Sequence, residues 1–201
     1  MSDMDRTRSA SVSRTTAETD ISISLALDGS GQASVKTGIG FLDHMLAAFA
    51  RHGGFDLTVE CRGDLEVDGH HTVEDIGICL GQALRQCLGD GSGIARYGNA
   101  FIPMDEALVQ VVVDLCGRSF AAHNLSFPQE RVGDLDSCLI PEFLRAFAVH
   151  AGITVHVRQL AGFNAHHLIE AFFKAFGHAL RQAAAAADPG GILSTKGKLD
   201  F

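Results

Sequence analysis

The sequence predicts an α+β fold made of two similar halves, each a small, mostly antiparallel sheet packed on two helices. Three observations carry this prediction. The chain repeats itself: HHTVEDIGICLGQALRQ from His70 and HHLIEAFFKAFGHALRQ from His166 agree at 8 of 17 positions without a gap, as expected of a duplicated supersecondary unit. The match continues upstream, where DHMLAAFARHGG from Asp43 lies over PEFLRAFAVHAG from Pro141 with 6 of 12 positions identical. In both halves, segments of two-residue alternation precede segments of helical period, so sheet and helices are expected to share a core.

Taken in order, residues 1–13 carry no core pattern and are expected to form a flexible tail. The first repeat is expected over residues 14–92. It opens on the alternating ISISLAL from Ile21 and the turn residues DGSG, which read as a strand entering a hairpin. A helix is expected around Asp43, then a strand in FDLTVEC from Phe55, then a longer helix opening near His70. In that helix Ile76, Cys79, Leu80 and Leu84 recur at three- and four-residue intervals, an apolar stripe facing the core. The second repeat, residues 93–189, presents ALVQVVVDL from Ala107, RSFAAHNL from Arg118, a helix over the match to Asp43, the strand-like ITVHVRQL from Ile153 and a long helix striped by Phe172, Phe176, Ala179 and Leu180. Residues 190–201, GGILSTKGKLDF, have too little pattern for an element and are expected to form a loop.

Composition narrows the function. A chain of 201 residues with 46% hydrophobic residues buries roughly 70% of its unfolded surface. Its formal net charge is -8, with Lys and Arg scattered, so it lacks the basic stripe that neutralises a nucleic-acid backbone. An anionic small ligand held by a few convergent cations remains open. Membrane insertion is not expected, because no apolar run approaches the roughly 20 residues a bilayer requires. The N-terminal residues lack the apolar core of a secretion signal. Five cysteines without a CxxC pair fit small core hydrophobes in a reducing, cytoplasmic compartment.

The paired histidines are the chemical signal. On a helix, positions i and i+4 nearly superimpose, whereas neighbours are rotated by about 100°. His70 therefore shares a face with Glu74 while His71 points elsewhere, and the same holds for His166, Glu170 and His167. Two adjacent histidines are thus suited to two ions. In the repeat register His44 falls opposite Glu142, one potential ligand over another. The supply is then His44, His70, His71, Glu74, Glu142, His166, His167 and Glu170, eight ligands that divide into two sites of four. A lone HHxxE on a helix arises by chance and its histidines cap or pack. Recurrence within a repeat that also keeps both glutamates favours metal. Imidazole and carboxylate without thiolate suit Mn, Fe, Co, Ni or Zn, with carboxylate-rich six-coordinate sites leaning towards Mn. His52 and His150 also match across the copies, but they sit at helix ends that favour His and are expected to be structural. Asp75 faces Ala171 in the other copy and is expected to support ligands from outside the metal shell.

Beyond the repeat, the chain resembles the imidazoleglycerol-phosphate dehydratase family from Arg14 onward. The resemblance is carried by RTTAET from Arg14, TGIGFLDHML from Thr37, DGHHTVED from Asp68, PMDEALV from Pro103, DLCGR from Asp114, GITVHVRQLAG from Gly152, NAHHLIEAFFKAF from Asn164 and STKG from Ser194. It implies two Mn2+ per active site on the eight ligands above. It implies substrate contacts at Glu18, Arg96, Arg118, Ser194, Thr195 and Lys196, with Lys174 a further one. It also implies a 24-subunit shell with active sites between subunits, and dehydration of imidazoleglycerol phosphate to imidazoleacetol phosphate through a metal-stabilised imidazolate. Glu18, outside the metal set, is the first candidate to move protons, with Glu74 and Glu170 able to share that task. Two rivals use the same ligands: a dinuclear phosphoester hydrolase, which would release phosphate, and a metal-buffering shell protein, which would bind Mn2+ without turnover.

Overall fold

The computed structural model describes residues 8–187, 191–199 and 201. The first half runs β1 (Ser9–Thr15), β2 (Thr19–Ala26), β3 (Ala33–Lys36), α1 (Gly40–Gly53), β4 (Asp56–Gly63) and α2 (His70–Leu88). The second runs β5 (Tyr97–Met104), β6 (Ala107–Asp114), β7 (Phe120–His123), a short hairpin of β8 (Arg131–Val132) and β9 (Leu135–Asp136), α3 (Leu139–Ala151), β10 (Thr154–Ala161) and α4 (Ala165–Ala184).

The two sheets have the same topology, β1-β2-β4-β3 and β5-β6-β10-β7. In each, the last pair is parallel and the others antiparallel. This is the duplicated α+β architecture that the repeat predicts. The helices lie between the sheets, α1 and α2 against the first, α3 and α4 against the second. They also pair across the halves, α1 with α4 and α2 with α3.

Alternation dictates which sheet face turns inward. Along β2, Ile21, Ile23 and Leu25 are buried while Asp20, Ser22 and Ser24 are exposed. Along β6, Val109, Val111 and Val113 are buried. Between the sheets, Phe49, Phe143, Phe147, Phe172, Phe173 and Phe176 form a chain of ring contacts with centroids 5.0–6.1 Å apart. The outer faces differ. The first sheet shows Ser11, Ser22, Ser24 and Glu60 to solvent, whereas the second shows Tyr97, Phe101, Val112 and Phe120.

The glycine common to both repeats has a steric cause. A Cβ at Gly81 of α2 would lie 2.6 Å from the Phe147 carbonyl oxygen of α3, and one at Gly177 of α4 would lie 2.5 Å from the Phe49 carbonyl oxygen of α1. Both cross-half helix pairs touch through these positions. The other matched glycines, Gly54 and Gly152, end α1 and α3 in the left-handed region at φ 69°, where a Cβ is costly.

Three local expectations change. Residues 1–7 of the expected tail lie outside the described residues, but Ser9–Ser13 belong to β1, paired with β2 in unbroken register from Ser9↔Ala26 to Thr15↔Asp20. This edge strand directs only Ala10 and Val12 towards the core, so it carries almost no hydrophobic signal. Strand β5 precedes the first strand read in the second repeat, and the β8–β9 hairpin has no counterpart in the first. Residues 191–199 and 201 carry no helix or strand; Gly190 and Asp200 lie outside the described residues.

Candidate active site

The paired histidines open α2 and α4, where the first backbone N–H groups lack intrahelical partners. Asp68 Oδ1 accepts from the His70 N–H at 2.7 Å. Asn164 caps α4, its Oδ1 accepting from the His166 and His167 N–H groups at 2.9 and 3.4 Å. Side-chain oxygens therefore start both helices at their histidines.

The cross-half pairing of helices gathers the ligand candidates. His44 comes from α1, His166 and Glu170 from α4. Glu170 Oε2 lies 3.1 Å from His166 Nε2 and 3.6 Å from His44 Nε2, and one ligand atom from each residue lies within 4.8 Å of the other two. Glu170 is buried, and Lys174 Nζ sits 2.7 Å from its Oε1. Burial pushes the Glu170 pKa up, but Lys174, His166 and His44 outweigh it and hold the carboxyl below its ordinary range.

The equivalent place on α2 and α3 holds His70, Glu74 and Glu142. His70 Nε2 is 3.7 Å from Glu74 Oε2. Arg145 Nη2 joins the two carboxylates, 2.6 Å from Glu74 and 2.8 Å from Glu142. Thus Glu142 on α3 occupies the place that corresponds to His44 on α1, the position the repeat register assigns it.

His71 and His167 turn away from these groups, as the 100° rotation requires. His71 Nδ1 meets Asp64 Oδ2 at 3.0 Å and His167 Nδ1 meets Glu106 Oε2 at 2.7 Å. Each Nε2 then faces a second carboxylate at 3.6 Å, Glu18 for His71 and Asp105 for His167. The hydrogen bonds to Asp64 and Glu106 raise both imidazole pKa values. The His167 hydrogen bond and the Asn164 N–H in turn hold Glu106 down to about 2.

Glu18 and Asp105 occupy corresponding turns, β1–β2 and β5–β6. Asp105 has φ 48° without being glycine, a conformation costing about 1–2 kcal/mol. Asp75 ties the Glu18 turn to α2: it is buried, accepts from Thr19 Oγ1 at 2.6 Å and pairs with Arg14 Nε at 3.0 Å. Exposed Phe163 leads into α4, its N–H directed at Glu106.

The remaining predicted contacts meet elsewhere. Arg96, Arg118, Ser194, Thr195 and Lys196 line an open cleft of about 640 Å³, with Lys198 beside them. Asp114 organises the arginines, taking Arg96 Nε and Nη2 at 2.7 and 3.1 Å and standing 4.0 Å from Arg118 Nη2. Arg96 Nη1 donates to the Leu193 carbonyl, fastening the C-terminal segment over the cleft. Lys174 and Glu18 are not among the cleft's lining residues and sit at Glu170 and His71 instead.

Sequence reading missed Asp64, Asp105, Glu106 and Arg145. The Asp105–Glu106 dipeptide stands directly before the alternating segment from Ala107 and within the PMDEALV motif. Asp64 carried no signal, since its partner His71 lies on another element; Arg145 stands at i,i+3 from Glu142 in sequence, but its bridge to Glu74 on α2 carried none.

Such a fold, with histidine and carboxylate groups at helix starts and a cation-lined cleft, defines a class: enzymes built on a duplicated α+β unit. Residues 37–180 match the family model described as imidazoleglycerol-phosphate dehydratase. Among relatives of that name, the chain is 59% identical to the protein from Heliobacterium modesticaldum, covering 96% of this chain and 100% of that one. It is 58% identical to that from Moorella thermoacetica, covering 96% and 98%. The crystal structure of imidazoleglycerol-phosphate dehydratase from Staphylococcus aureus superposes with a TM-score of 0.81 at 42% identity, covering 89% of this chain and 99% of that chain. The enzyme from Pyrococcus furiosus in complex with (S)-C348 gives 0.81 at 40%, covering 94% and 100%. The chain belongs to the imidazoleglycerol-phosphate dehydratase family and is a hydro-lyase.

Proposed function

We propose that the chain dehydrates D-erythro-imidazoleglycerol phosphate to imidazoleacetol phosphate in histidine biosynthesis, with two Mn2+ per active site. The observation that carries this is the convergence of His44, His166 and Glu170 from two helices; at the corresponding place on α2 and α3 stand His70, Glu74 and Glu142, the two carboxylates joined through Arg145. The donor set fits Mn2+, being imidazole and carboxylate throughout. His71 and His167 fit as well: each donates Nδ1–H to a carboxylate, which leaves the Nε2 lone pair for a metal. Bound Mn2+ would supply Lewis-acid stabilisation of negative charge on the substrate's imidazole ring.

The chain's own residues do the rest. Arg96 and Arg118, fixed by Asp114, offer guanidinium edges to the substrate phosphate, and Ser194, Thr195 and Lys196 add hydroxyls and an ammonium. Lys174, beside Glu170, is a further substrate contact. Glu18, held near His71 by the turn that Asp75 anchors, takes the carbon-bound proton. Glu74 and Glu170 are the alternative carriers.

We further propose that the chain assembles into a 24-subunit shell, in which His71 and His167 reach clusters of neighbouring copies. Their divergence from their own chain's clusters supports this, as do the exposed Tyr97, Phe101, Val112 and Phe120 on the outer face of the second sheet. A cytoplasmic location is part of the same reading, supported by five unpaired cysteines. Among the described residues no helix is long and apolar enough to cross a membrane.

The test is anaerobic Mn2+ reconstitution of metal-stripped protein, followed by assays for imidazoleacetol phosphate and for free phosphate. The ketone is expected with phosphate retained, and His71→Ala and His167→Ala should fall below roughly one hundredth of wild type, since even an outer-shell partner is worth 10–100-fold. Turnover that survives metal removal, or release of phosphate, would refute the proposal.

A further inference from the structure

The halves differ most between sheet and short helix. Three residues, 37–39, join β3 to α1, whereas fifteen, 124–138, join β7 to α3 and contain the β8–β9 hairpin. This strap belongs to the second half by sequence but attaches to helices of both. Asp134 Oδ2 accepts from the Gly40 N–H at 2.6 Å and its Oδ1 from the Phe41 N–H at 2.9 Å. Those are the first two N–H groups of α1, whose own N-cap residue, Ile39, makes no side-chain cap. Further along the strap, Gln129 Oε1 accepts from the Ala165 N–H at 2.7 Å, the first residue of α4.

The strap is itself secured. Arg131 forms a two-point pair with Asp136 at 2.6 and 3.2 Å, Ser137 Oγ donates to the Gln129 carbonyl at 2.9 Å, and Leu135 is fully buried. At its start, Asn124 and Gln159 exchange hydrogen bonds that fix it to β10.

The helices it caps are the two that bring His44 to His166 and Glu170. His44 lies one turn into α1, and Ala165 is the neighbour of His166. An uncapped first turn frays, because its N–H groups have no partners, and an acidic cap also complements the helix dipole. We propose that the 124–138 strap is a positioning device for the His44–His166–Glu170 cluster, with Asp134 as its principal contact. The proposal rests on the metal reading for its consequence, not for its geometry. Thr37 independently holds Asp43 of the same turn, through N–H and Oγ1 at 2.8 and 2.6 Å, so loss of the Asp134 contact leaves the helix folded and loosens its start.

The test compares full-length Asp134→Ala, Asp134→Asn and Asp136→Ala with wild type. Asp136→Ala breaks the hairpin's ion pair without touching α1. The readouts are amide hydrogen exchange over residues 40–46 and Mn2+ titration of the metal-stripped proteins. Asp134→Ala should exchange faster over that stretch and weaken one class of Mn2+ sites roughly tenfold or more, the range for an outer-shell partner. Asp134→Asn, which keeps one acceptor oxygen, should fall between, and Asp136→Ala, which loosens the hairpin but leaves the Asp134 cap in place, should change both readouts clearly less than Asp134→Ala. Unchanged exchange in Asp134→Ala overturns the proposal, as does faster exchange with unchanged Mn2+ affinity, or an equal effect from Asp136→Ala. If wild type binds no Mn2+, the metal reading fails by itself and the exchange comparison decides the strap's role.

Discussion

Asp64 and Glu106 come from different places in the two halves, yet each accepts a hydrogen bond from Nδ1 of the second histidine in a pair. This sets the tautomer and leaves the Nε2 lone pair available to the proposed metal. Asp64→Asn and Glu106→Gln should therefore cost about 10–100-fold in Mn2+ affinity while the thermal midpoint stays near wild type; calorimetric titration beside a melting curve checks both. The same bonds give a pH signature. Because the carboxylates raise the His71 and His167 pKa values, protons compete with metal above the ordinary imidazole range. The acid limb of the activity profile should lie there, and Glu106→Gln should move it to lower pH. For stability the sign is opposite. A raised imidazole pKa contributes stability that is fully present below the unfolded value and lost as pH rises through the folded one.

Cysteine reactivity follows from burial at the same scale. Cys61, Cys79 and Cys87 are buried and their thiols pushed up to about 11, Cys116 is buried, and Cys138 is exposed. Alkylation of the native protein should stop at one equivalent, found at Cys138 by peptide mass mapping.

At the scale of elements, the crossings at Gly81 and Gly177 decide how close α2 comes to α3 and α1 to α4. An alanine in an open helix position gains up to about 1 kcal/mol over glycine. Here its Cβ would lie 2.5–2.6 Å from a backbone oxygen, and overpacking of that kind costs about 1–3 kcal/mol. Gly177→Ala should therefore lower the thermal midpoint and, by parting α1 from α4, weaken Mn2+ binding as well. A midpoint at or above wild type would contradict this packing account. Cross-half pairing also explains why the duplication matters chemically: His44 of the first repeat meets His166 and Glu170 of the second.

At the scale of the molecule, the two sheets offer solvent different surfaces. Tyr97, Phe101, Val112 and Phe120 put exposed apolar side chains on one outer face, among Asn99, Gln110, His156 and Arg158, and exposed aromatic groups of this kind mark interaction surfaces. Phe101→Glu should dissociate the proposed 24-subunit shell in size-exclusion chromatography with light scattering. Ser22→Glu, on the polar face of the other sheet, should leave it intact.

Much of this was legible without coordinates. The duplication, the helical stripes and the separation of His70 from His71 follow from periodicity, because 3.6 residues per turn fixes which side chains share a face. The eight ligand candidates and the cleft residues were named from repeat and motif. Strand β1 escaped because an edge strand of serines with two inward residues looks like a tail. Asp134, Arg145, Asp64 and Glu106 escaped because a carboxylate or guanidinium reveals nothing in sequence about a partner in another element.

By itself the sequence determined the two-fold architecture and the kinds of donor at each helix start, since both are encoded in short-range pattern. Only the tertiary structure decided that each cluster draws on both halves, that Arg145 joins Glu74 to Glu142, and that a strap from the second half begins the first helix of the other. Those choices depend on which surfaces meet when the helices cross, and side-chain hydrogen bonds between distant segments exist only after that packing has formed.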